Sequence, residues 1–95
     1  MHIYEFQKMM RRLYFERDSK RGTELTIDWL EDEVEELKEA LKEGDIEASK
    51  KEFADVLAWL ASLANVENID LEKAALSKYK NKCPKCRQSP CGCPF

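Results

Sequence analysis

Between Met1 and Lys82 the chain contains no proline and only two glycines, Gly22 and Gly44, while its apolar residues recur every three or four positions. A backbone nearly free of breakers, with apolar positions at helical period, folds as amphipathic helix. Nothing in it alternates with the two-residue period a half-buried strand needs, and no segment repeats. The class predicted is therefore all-α, an antiparallel bundle of about four helices.

The pattern also places the elements. Ile3, Phe6, Met10 and Leu13 predict a first helix over residues 2–17. Residues 17–26 are polar, contain Gly22 and read as a loop, with Thr26 or Asp28 as the next N-cap. Leu30, Val34, Leu37 and Leu41 form the apolar stripe of a second helix, which Gly44 stops. Asp45 is suited to cap a third helix, whose Phe53, Val56, Leu57, Leu60, Leu63 and Ala64 predict a wide buried face. A break at Val66–Asp70 precedes a short last helix carrying Leu71, Ala74, Ala75 and Leu76, capped by Asp70. The helical domain is thus expected to span residues 1–80, followed by a cysteine- and proline-rich tail at 81–95. At 95 residues the core is marginal, so association of copies is expected to help hold it.

Charge adds a constraint on function. Residues 28–55 hold twelve acids and four bases, and the rest of the chain holds seven acids and twelve bases. An acidic waist between basic flanks suits a central cation and peripheral phosphate, or equally a solvated acidic helix. The overall charge of −3 argues against binding a nucleic-acid polymer. No apolar run approaches membrane-spanning length and no secretory leader is visible, so a cytoplasmic protein with reduced thiols is expected.

Within the waist, four acids form two pairs three residues apart: Glu33 with Glu36, and Glu52 with Asp55. Residues at that spacing are neighbours on a helix surface. At 100° per residue, Glu33 and Glu52 border their helices' apolar stripes, and Glu36 and Asp55 lie further round. If the two helices pack antiparallel, all four converge. Convergent carboxylates repel one another unless a cation lies between them. An all-oxygen set suits Mg²⁺, with Mn²⁺ as a substitute. The basic flanks offer Arg17, Lys20 and Arg21, and Lys78 near the end of the last helix, as candidates to hold phosphate, a merely solvated basic surface being the other reading.

The tail carries Cys83, Cys86, Cys91 and Cys93, a CxxC followed by a CxC. Four thiolates this close, in a reducing compartment, predict tetrahedral Zn²⁺, with Pro84 and Gly92 suited to the tight turns. A disulfide pair or a disordered tail with idle thiols are the other readings.

The segment from Leu30 to Leu41, with Glu52-Phe-Ala-Asp-Val-Leu57, resembles the MazG family of all-α nucleoside triphosphate pyrophosphohydrolases. The family signature is EExxE, a spacer, then ExxD. Here it reads Asp32-Glu33-x-x-Glu36 and Glu52-x-x-Asp55, departing only in Asp32, where the family usually has Glu. The likeness covers residues 3–80. It implies that Glu33, Glu36, Glu52 and Asp55 are both metal ligands and the catalytic set, and that the protomers form dimers or tetramers. It implies hydrolysis of the α–β phosphate bond of (d)NTPs to the monophosphate and pyrophosphate, and with a nucleotide as substrate Trp29 and Trp59 become candidates to stack on its base, core packing being the other reading of each. The main rival is a non-catalytic helical oligomerisation and binding module with a zinc-ordered tail. A family member that binds nucleotide without turning it over is a second rival.

Overall fold

The computed structural model describes residues 1–94. Four helices account for most of them: α1 (Ile3–Arg21), α2 (Thr23–Glu43), α3 (Ile46–Val66) and α4 (Leu71–Lys78). Among the described residues there is no strand, so the protein is all-α as expected.

Helix boundaries follow from local chemistry. Gly44 takes the left-handed conformation, φ 72°, and its N–H bonds back to Leu41, closing α2. The next residue, Asp45, caps α3 by accepting from the Ala48 N–H at 3.0 Å. Asp70 does the same for α4, accepting from Lys73 N–H at 3.0 Å.

The N-terminal boundary differs from the reading of the sequence. The first helix runs four residues past Arg17, to Arg21, and α2 starts at Thr23. A single residue, Gly22 at φ 83°, makes the turn, because without a Cβ it enters the positive-φ region freely. Thr26 and Asp28 are therefore helical residues and not caps. Thr26 is buried in the first turns of α2, where its hydroxyl donates to the Gly22 carbonyl at 2.6 Å.

Helix α3 is the centre of the fold, packed against α1 on one side and α2 on the other, while α4 leans on α1. Two residues join α2 to α3, and the contacts Trp29–Trp59 and Thr23–Glu67 fix them as an antiparallel hairpin. Helix α1 is tied to the α3–α4 corner by Gln7. Its side-chain amide donates to Asn65 Oδ1 at 3.0 Å and to the Ile69 carbonyl at 2.7 Å, and its Oε1 accepts from Leu71 N–H at 2.9 Å.

The buried face is smaller and more polar than the apolar pattern implied. Of the α3 positions expected inside, Ala64 is buried and Val56 and Leu63 are half-buried, but Phe53, Leu57 and Leu60 are exposed in the single chain. On α1 the buried residues are Gln7, Met10 and Asp18, whereas Ile3 and Leu13 face outward.

Candidate active site between the first three helices

The α2–α3 hairpin sets Glu33 and Glu36 opposite Glu52. One carboxylate oxygen from each lies within 4.8 Å of the others. Glu33 and Glu52 are half-buried at the helix interface and Glu36 is exposed at its edge. The Oε2 atoms of both Glu33 and Glu52 are buried without a hydrogen-bond partner. A buried, unpartnered carboxylate oxygen is costly, and two side by side are costlier. A hard cation between them supplies the missing partner, so these residues fit a divalent metal such as Mg²⁺.

Electrostatics register the crowding. Burial, then the hydrogen bond and charge of Glu36, then the charge of Asp55 push the Glu33 carboxyl up to about 7. Burial and the Glu36 charge also raise Glu52. Asp55 stands outside the three-acid cluster. It is exposed, one turn further along α3, and lines the neighbouring pocket.

That pocket, about 310 Å³, opens between α1, α2 and α3. Arg17, Asp18, Arg21, Trp29, Asp55 and Trp59 are among its walls. The two indoles lie 5.1 Å apart between centroids, tilted by 46°. Arg21 lines the pocket beside both indoles. Its guanidinium lies 4.6 Å from the Trp59 ring centre and 5.9 Å from that of Trp29, and it donates to Thr26 Oγ1 at 3.2 Å. It also pairs with Asp18, whose carboxylate is buried and whose Oδ2 has no partner.

The structure therefore gathers Glu33, Glu36 and Glu52 in one cluster, and Asp55, Arg17, Arg21 and Trp59 around the adjoining pocket. Lys20 points to solvent beside Glu16, 3.6 Å away, and does not line the pocket. Lys78 ends α4 and borders a groove against the cysteine tail. Asp18 was not singled out by the sequence pattern. The available signal was spacing: Asp18 stands three residues before Arg21 and eight after Met10, on the face α1 buries.

In the tail, Cys83, Cys86, Cys91 and Cys93 are free thiols whose sulfurs all lie within 4.8 Å of one another. Backbone N–H groups near Gln88 and Gly92 pull the Cys86 thiol down to about 6, while hydrogen bonds with the other thiols push Cys93 up to about 11.

The α2–α3 hairpin thus sets three convergent carboxylates beside a pocket walled by aromatic and basic side chains in an all-α protein. The profile of the MazG nucleotide pyrophosphohydrolase domain matches residues 21–87, which takes in α2, α3, α4 and the first half of the tail. The chain belongs to that family. A comparison with curated proteins finds no match. At the family level the chain is a pyrophosphohydrolase-type hydrolase with a nucleotide substrate, of a family that is typically metal-dependent. Among the described residues, no helix is long and apolar enough to cross a membrane.

Proposed function

We propose that the protein is a Mg²⁺-dependent pyrophosphohydrolase that cleaves the α–β phosphate bond of (d)NTPs, releasing the monophosphate and pyrophosphate. The observation that carries this reading is the pair of buried, unpartnered Oε2 atoms of Glu33 and Glu52, converging with Glu36 beside a pocket of nucleoside size. Glu33, Glu36 and Glu52 would hold the ion, with Asp55 reaching it from the pocket rim. When bound, Mg²⁺ neutralises phosphate oxygens and acidifies water.

The remaining roles belong to the chain itself. Trp29 and Trp59 offer faces on which a base stacks. Arg17 and Arg21 offer guanidinium forks for phosphate oxygens. Arg21 is held over both indoles by Asp18 and Thr26, so the cation and the rings come as one unit. Glu36 and Asp55, the more exposed acids, are positioned to accept a proton from an attacking water.

The test is pyrophosphate release from a panel of canonical and modified NTPs and dNTPs, with Mg²⁺ and with EDTA. Mg²⁺-dependent pyrophosphate with matching monophosphate is expected, and Glu52→Gln is expected to lower it at least ~10²-fold with helical content retained. Orthophosphate release overturns the assigned bond. Absence of turnover by the wild-type chain across the panel, with nucleotide still bound, moves the protein to the class of nucleotide-binding modules.

A further inference from the structure

The pyrophosphohydrolase reading leaves the cysteine tail without a task. From Glu67 to Pro94 no residue is buried, so the tail has no core of its own. Its shape rests on few interactions. Cys83 N–H donates to the Gln88 carbonyl at 3.0 Å, and Arg87 N–H donates to the Cys83 carbonyl at 2.8 Å. A segment this short and exposed loses more in conformational entropy than two such bonds return. Something else must order it.

The sulfurs supply the candidate. Cys83 and Cys93 Sγ stand 3.7 Å apart, and Cys86 and Cys91 Sγ stand 3.9 Å apart. With a metal–sulfur distance of about 2.3 Å, the edge of a tetrahedron of sulfurs is about 3.8 Å. All four sulfurs lie within 4.8 Å of one another, close to the diameter of one such coordination sphere. In an iron–sulfur cluster the thiolates bind different irons, so their sulfurs stand further apart than around a single ion.

The turns are shaped to match. Arg87, directly after the CxxC, takes φ 63°, which turns the chain back beneath the sulfurs. Gly92 N–H donates to Cys86 Sγ and Cys93 N–H to Cys91 Sγ, each at 3.3 Å. Such donors disperse the negative charge of a metal-bound thiolate. The surroundings help too, since Lys78, Lys80, Lys82, Lys85 and Arg87 are the charged residues of this stretch and no acid accompanies them.

We infer that Cys83, Cys86, Cys91 and Cys93 form a closed, structural Zn²⁺ site that orders residues 81–94 against the end of α4. Four soft thiolates in a tetrahedron select Zn²⁺, whereas the carboxylate cluster on the α2–α3 hairpin selects a hard ion, so the two sites load independently. The thiols lose their protons on binding and leave no open position, which makes the site structural.

The intact 95-residue chain, purified anaerobically, tests this by metal content. One Zn²⁺ per chain is expected, falling to near zero in Cys86→Ser and in the Cys91→Ser/Cys93→Ser double variant, with helical content unchanged in at least one of them. Replacement by Co²⁺ is expected to give the thiolate charge-transfer bands and intense visible bands of a tetrahedral site. Tryptic cleavage after Lys82, Lys85 or Arg87 is expected to accelerate at least ~10-fold when a chelator removes the ion. Iron in place of zinc, zinc retained by both cysteine variants, or disulfides in the anaerobic protein would each overturn the assignment. These readouts do not depend on nucleotide turnover, so failure here and failure of the pyrophosphohydrolase reading are separable.

Discussion

At Glu33 two demands oppose each other: burial and the charges of Glu36 and Asp55 favour the protonated acid, whereas metal ligation needs the carboxylate. Its carboxyl, raised from 4.5 to about 7, therefore favours folding of the metal-free chain only while it keeps its proton. That contribution is complete below about pH 4.5 and is lost as pH climbs through 7. Glu33→Gln removes the titrating charge and keeps the shape. Thermal melts in EDTA are expected to show the variant a few degrees more stable than wild type at pH 8, with the gain gone at pH 5. With saturating Mg²⁺ the order is expected to reverse at pH 8, because the variant lacks one of the carboxylates proposed to hold the ion. Equal melting temperatures in EDTA at both pH values would contradict the crowding.

At the scale of elements, the informative case is α1. Its apolar residues repeat as Ile3, Phe6, Met10 and Leu13, but the face it buries runs through Gln7, Met10 and Asp18. Periodicity reports which side chains avoid water, and a polar residue that is buried against a partner, as Gln7 is, escapes it. Gln7 satisfies Asn65 and the α3–α4 corner, and in return Asn65 Nδ2 donates to the Gln7 carbonyl at 3.1 Å. Truncating one partner strands the other. Asn65→Ala is expected to cost about 1–3 kcal/mol in urea unfolding without moving the α2–α3 hairpin. A loss below ~0.5 kcal/mol would mean that water replaces the amide. The same helix shows why a polar, glycine-containing stretch was legible as a turn but not as its length. Residues 17–21 remain helical because Gly22 alone suffices to redirect the chain.

For the whole molecule, the residues left uncovered matter most. The fully buried apolar set is Met10, Ala40, Ala61 and Ala64, three of them alanine, which is a thin core for 95 residues. Meanwhile Val34 and Leu41 on α2 and Phe53, Leu57 and Leu60 on α3 are 40–56% exposed. Each set lies within one narrow arc of its helix. Burying such faces against a second copy is the direct way to complete the core, in accord with the dimers or tetramers the family resemblance implies. Light scattering after size exclusion is expected to give a multiple of the 11.1 kDa chain mass. Leu57→Asp is expected to break the assembly and lower the melting temperature together. A wild-type monomer with full thermal stability would show that these faces are merely tolerated in water.

What the sequence alone determined is local and periodic: four helices, their Gly44, Asp45 and Asp70 punctuation, two acid pairs on the helices that form the hairpin, and four thiols at ligand spacing. These follow from near-neighbour sterics, capping and the 3.6-residue period, which need no knowledge of the fold. Tertiary structure alone decided the rest. It drew Glu52 up to Glu33 and Glu36 while leaving Asp55 in the wall of the pocket, and it set Arg21, read as a loop residue, against two indoles. It also buried Asp18, while Lys20 stayed in water. Those outcomes depend on crossing angle and helix register, quantities that arise only when helices pack, so no pattern within a single helix contains them.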